Sequence, residues 1–249
     1  MMRMRLLEFD ISFPNWKTDF FSLQKMDAAP PPASVVVGTY CLSDYLFVGT
    51  NGYVAAVHQV TGEELWRVSL PVTLAPGPAC TLLDFDQLFV GTAGRIFSLD
   101  PATGRTLWHN DLEGLRYDIV AITTNRRAGA KKKVADEGAA ARLVFIGTYG
   151  YVVALDVGTG QERWRLSLPS TGYNLVTMIW DGDRLIVASY GKVMAIDAAE
   201  GAIVWRNELS GMGYHHSCLA MVGASSNSGA DPLPHYALMR DRQRAAAAR

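Results

Sequence analysis

Four segments of this chain superpose without gaps, and that repetition constrains the fold more than any other feature. They are GTNGYVAAVHQVTGEELW from Gly49, GTAGRIFSLDPATGRTLW from Gly91, GTYGYVVALDVGTGQERW from Gly147 and ASYGKVMAIDAAEGAIVW from Ala188. Each closes on a tryptophan (Trp66, Trp108, Trp164 and Trp205), and four positions before each stands a glycine (Gly62, Gly104, Gly160 and Gly201). A chain that repeats its own register builds stacked units of one supersecondary structure.

The residues name the unit. LFVGT, LFVGT, LVFIGT and LIVAS are short, apolar and β-branched, as strands buried on both faces are. The glycines at 52, 94, 150 and 191 mark a tight turn with positive φ, and YVAAV, RIFSL, YVVAL and KVMAI form the next strand. A polar turn follows, in which Asp100, Asp156 and Asp197 accept backbone amides. His58 replaces the aspartate in the first copy, which predicts a looser turn there. The tryptophan lies on a third strand. CTLLDF, DIVAIT and LVTMIW supply a fourth, with SVVVGTY serving the first copy. Four short strands at a period of roughly 42 residues predict an all-β propeller of four blades.

The expected organisation is an irregular N-terminal arm with a proline-rich linker over 1–33, a propeller over 34–222 and a flexible tail over 223–249. Only the third unit is stretched, by a loop insertion over 125–141. It is locally basic at Arg126, Arg127 and Lys131 to Lys133 and reads as a solvated loop. With 23 Lys+Arg against 24 Asp+Glu, the chain lacks the basic surplus of a nucleic-acid binder or a polybasic membrane-surface protein. No apolar run is long enough for a signal-peptide core or a membrane span, and the expected location is the cytoplasm. A leader missing from the N-terminus would make it a secreted or periplasmic protein. Cys41, Cys80 and Cys218 stand far apart in no metal-binding spacing, so no metal site is expected.

The string Ala-[Leu/Ile]-Asp-x-x-[Thr/Glu]-Gly-x-x-x-Trp, seen at Ala154 to Trp164 and Ala195 to Trp205, resembles the pyrroloquinoline-quinone (PQQ) repeat. That repeat builds the propellers of quinoprotein alcohol dehydrogenases and of an outer-membrane assembly lipoprotein. The resemblance implies that Trp66, Trp108, Trp164 and Trp205 dock blade on blade, with Gly62, Gly104, Gly160 and Gly201 in the turns that receive them. It implies quinone chemistry only weakly. The dehydrogenases hold PQQ with Ca²⁺ on Glu, Asn and Asp and use a catalytic Asp, and none of these is assignable here. They also have eight blades, and this chain supplies four. The four close into a small ring, form a partial propeller, meet a second copy in a homodimer that completes a larger ring, or belong to a truncated product.

Propellers bind ligands where their innermost strands begin. The register places Ala75, Tyr117, Tyr173 and Tyr214 there, followed by Pro76, Asp118, Asn174 and His215. Tyr117, Asp118, Tyr173, Asn174, Tyr214 and His215 form the candidate site, a mixed aromatic and polar surface suited to a protein, peptide or glycan. His215 and His216, read as lying on a strand, point to opposite faces and do not share a metal. The function expected is non-enzymatic binding or scaffolding, without catalytic residues or cofactor. The alternative is a PQQ-dependent oxidoreductase, or a fragment of one.

Overall fold

The computed structural model describes residues 41–72, 79–115, 120–126 and 142–221, together with the backbone of 224–225. The N-terminal arm, the strand expected at SVVVGTY, most of the insertion and nearly all of the tail lie outside the described residues.

Each repeat folds as an antiparallel meander. The first sheet is β1 (Tyr45–Thr50), β2 (Tyr53–His58) and β3 (Glu64–Ser69). The second is β4 (Ala79–Asp84), β5 (Gln87–Thr92), β6 (Arg95–Leu99) and β7 (Thr106–Asn110). The third is β8 (Ala121–Thr124), β9 (Leu143–Thr148), β10 (Tyr151–Asp156) and β11 (Glu162–Ser167). The fourth is β12 (Thr177–Trp180), β13 (Arg184–Ser189), β14 (Lys192–Asp197) and β15 (Ile203–Asn207). A short pair, β16 (Ala220–Met221) and β17 (Ala224–Ser225), follows. The four sheets are the blades of a partial propeller. Strand packing runs from β1 to β4, β4 to β8, β8 to β12 and β12 to β17, and among the described residues no comparable packing joins the first blade to the fourth. The insertion begins and ends inside the third blade, between β8 and β9.

Local chemistry explains the hairpins. In the hairpins β1–β2, β5–β6, β9–β10 and β13–β14 both turn residues have positive φ: Asn51 and Gly52, Ala93 and Gly94, Tyr149 and Gly150, Tyr190 and Gly191. A two-residue turn of this hand matches the right-handed twist of its strands. In the next turn, Asp100 accepts the amides of Ala102 and Thr103, Asp156 those of Gly158 and Thr159, and Asp197 those of Ala199 and Glu200. His58 does not leave its turn open: its Nδ1 accepts the Thr61 amide at 3.1 Å.

The core is divided among three joints. Leu88, Val90 and Phe97 pack with Val54 and Leu70 between the first and second blades. Phe89, Ile96, Val144, Ile146 and Val153 lie between the second and third. Phe145, Val152, Leu185, Val187 and Met194 lie between the third and fourth. Strand β9 is buried throughout because its alternate residues feed two different cores.

The tryptophans complete these joints in one recurring geometry. Trp66 Nε1 donates to the Pro101 carbonyl at 3.0 Å, Trp108 to Val157 at 2.9 Å and Trp164 to Ala198 at 2.9 Å. Each indole lies against the turn glycine of the next blade. A Cβ at Gly104 would stand 2.7 Å from Trp66, one at Gly201 2.6 Å from Trp164, and one at Gly160 would overlap Trp108. Trp205 and Gly62 depart from the docking expectation within this chain. Trp205 is 42% exposed, and nothing lies within 4 Å of a Cβ at Gly62. They stand at opposite ends of the described blade series, so among the described residues the joint each would make has no neighbour.

Candidate binding site at the propeller mouth

The loops that lead from one blade to the inner strand of the next cross over the glycine turns at one end of the propeller. The Gly150 amide donates to the Asn174 carbonyl at 2.9 Å, and the Gly191 amide to the His215 carbonyl at 3.1 Å. A Cβ at Gly150 would collide with the Gly172 carbonyl, and one at Gly191 with that of Gly213. Only glycine lets these loops approach so closely.

This crossing puts tyrosine on tyrosine. Tyr149 stacks on Tyr173 with centroids 4.2 Å apart and planes 11° apart. Tyr190 stacks on Tyr214 at 5.1 Å and 24°. Tyr173 is 66% exposed and Tyr214 62% exposed, so each stack offers an aromatic face to solvent. Tyr149 and Tyr190 hold φ near 50°, a conformation that costs a non-glycine residue roughly 1–2 kcal/mol. The stacks offset part of that cost.

Of the expected polar members, Asn174 is committed to its loop through Nδ2, which donates to the Thr171 carbonyl at 2.5 Å. His215 is exposed and clasps the Gly191 turn through its backbone. Neither His215 nor His216 lies on a strand; both precede β16. His216 is half-buried, its ring nitrogens have no hydrogen-bond partner, and desolvation holds its pKa below the ordinary 6.5. Tyr117 and Asp118 lie outside the described residues, as do Ala75 and Pro76.

The structure adds residues that the register argument passed over. Lys192 is buried and donates to Glu208, and its ammonium lies 5.8 Å from the centre of the Tyr214 ring. Arg206 also pairs with Glu208, at 2.5 Å. The Lys192 hydrogen bond, with Arg206 beside it, holds the Glu208 carboxyl below the usual carboxylate range. With Leu209, Ser210, Gly211, Gly213 and Tyr214, this pair lines a cavity of about 550 Å³. The second blade repeats the device: Arg95 pairs with Asp111 at 3.3 Å and donates to the Pro71 carbonyl at 2.7 Å. The signal was present in the sequence. Arg95 and Lys192 each follow the turn glycine, and Asp111 and Glu208 each stand three positions after the repeat tryptophan.

The mouth therefore offers flat aromatic surface beside a paired lysine and glutamate. Among the described residues no three His, Cys, Asp or Glu side chains are placed to hold a metal ion, and Asp100, Asp156 and Asp197 each close their own turn. Nor is any helix among them long and apolar enough to cross a membrane.

Comparison with solved structures agrees on the fold. The computationally designed Ika8 protein matches with a TM-score of 0.53 and 18% identity, over 74% of this chain and 54% of that one. A chain of the mitotic checkpoint complex matches with a TM-score of 0.51 and 14% identity, over 67% and 48%. BamB from Moraxella catarrhalis is 24% identical over 66% of this chain and 49% of that one, with a TM-score of 0.43. The chain thus spans about half the length of these structures. No curated protein matches the sequence. The family model described as outer membrane protein assembly factor BamB matches residues 50–134 and 148–224, more than half of the chain. With four PQQ-type blades underlying that match, the chain belongs to the PQQ_2 family.

Proposed function

We propose that this chain is a non-enzymatic propeller that binds a protein partner, a peptide or a glycan at its mouth. The Tyr190–Tyr214 stack beside the 550 Å³ cavity carries this reading. An exposed ring packs on a side chain or sugar face, and the adjoining Lys192–Glu208 pair supplies directional polar contacts. The family's description as an assembly factor favours a protein partner over turnover of a small molecule.

The test is a screen of the purified chain against a glycan array and a tiled peptide library. The best binder is then titrated against the Tyr173→Ala/Tyr214→Ala variant. Aromatic anchors at interfaces are worth about 2 kcal/mol or more, so affinity should fall roughly 30-fold. Both rings are mostly exposed, so thermal stability should hold. Unchanged affinity in the double variant sinks the proposal.

A further inference from the structure

Among the described residues, the blade series ends in one unused donor and one unused acceptor of the same joint. At the acceptor end, Gly62 is exposed where Gly104, Gly160 and Gly201 are buried under an indole. A cavity of about 720 Å³ opens there, lined by Tyr45, His58, Thr61, Glu63, Glu64 and Leu65. In the three filled joints the indole donates to the carbonyl just after Asp100, Asp156 or Asp197. The residue at that place in the first blade is Gln59. At the donor end stand Trp205 and, two positions on, Asn207. Its counterpart two positions after Trp108 is Asn110, which bonds the Gly160 carbonyl at 2.9 Å across its joint. Asn207 is preset as Asn110 is: its Oδ1 accepts the Leu209 amide at 2.9 Å, as Asn110 accepts that of Leu112 at 2.8 Å. Exposed apolar side chains flank both halves, Leu46 and Val48 on the first blade and Val204 on the fourth.

We propose that two copies of this chain assemble head to tail, Trp205 of each seated in the Gly62 slot of the other. Trp205 Nε1 then donates to the Gln59 carbonyl and Asn207 Nδ2 to that of Gly62, so the new joint repeats the one between the second and third blades. The occupant is a second copy because the slot demands an indole on an outer strand. Among the described residues the one such indole left undocked is Trp205, and four blades do not carry it round to Gly62. Two arcs supply eight blades, within the range of about four to eight that closes a propeller. Two-fold symmetry satisfies both joints at once and removes the exposed end faces.

Native mass spectrometry and sedimentation of the full chain test this. The wild type should run as two copies. Trp205→Ala and Gly62→Asn should each run as one, a twofold fall in mass; asparagine tolerates the positive φ of 73° while its side chain fills the slot. Mixing the two variants should restore a two-copy species, because one intact donor then meets one intact acceptor. A single-chain mass for the wild type at every concentration overturns the proposal in favour of closure within one chain. So does a wild-type mass for either variant, or a mixture that stays single. The two substitutions lie on different blades, so misfolding of one does not imitate the pattern.

Discussion

Strands β1 and β5 carry the same five residues, Leu-Phe-Val-Gly-Thr, in blades one place apart. In β5, Leu88 and Val90 are fully buried against the first blade while Phe89 faces the third. In β1, Phe47 packs inward, but Leu46 is 42% exposed and Val48 43% exposed. Identical sequence, identical hairpin and opposite environments: what differs is whether a blade stands on each side. A propeller strand is apolar on both faces because the fold intends two neighbours for it. The first and fourth blades keep that composition with one neighbour among the described residues.

The tryptophans give the largest contrast between interior and end. Trp164→Ala removes an indole packed on Gly201 and strands the Ala198 carbonyl, which should cost about 3–5 kcal/mol. Trp205→Ala should cost about 1 kcal/mol or less in dilute protein, where no second copy covers it. Urea unfolding of both variants checks this. Equal losses would mean that Trp205 is docked within its own chain, and the contrast would break.

The leucines refine the same comparison. Leu88→Ala should cost about 3 kcal/mol, since a buried side chain leaves a cavity that the joint cannot close. Leu46→Ala should cost about 1 kcal/mol or less in dilute protein. At high concentration its cost should rise toward that of Leu88→Ala if a second copy buries it, because association then adds to apparent stability. Denaturation midpoints across a concentration series separate the cases; a constant, large cost for Leu46→Ala would sink the contrast.

The repeat made the blades legible because turn chemistry is local. Asp100, Asp156 and Asp197 bond amides two and three residues away, and Gly150 and Gly191 answer to their own hairpins. A register of four tryptophans likewise fixed where joints form. It did not fix how many form, since Trp205 reads like Trp164 although no described blade receives it. At the mouth, Tyr173 and Tyr214 were legible by register. Their stacking partners Tyr149 and Tyr190 sit in the hairpin turns, and the stack exists only once a loop from beyond the tryptophan crosses back. Lys192 and Glu208 pair because β14 and β15 lie side by side with Val193 opposite Asn207, and their places after the turn glycine and the repeat tryptophan carry that signal.

The smallest expected effect lies at the same end of the arc. His216 sits beyond the fourth blade with both ring nitrogens unpartnered, and desolvation depresses its pKa below 6.5. The unfolded chain therefore binds the His216 proton more readily than the folded one. Its neutral form is fully tolerated above about pH 6.5, and stability is lost as the pH falls from there through the folded value. His216→Gln cannot take up that proton, so its stability should fall less than that of the wild type between neutral pH and mild acid. Urea titrations of the two proteins at matched pH values measure the difference. Parallel curves would mean that the ring reaches water or a partner in solution, and that this end of the arc is looser than the burial of His216 implies.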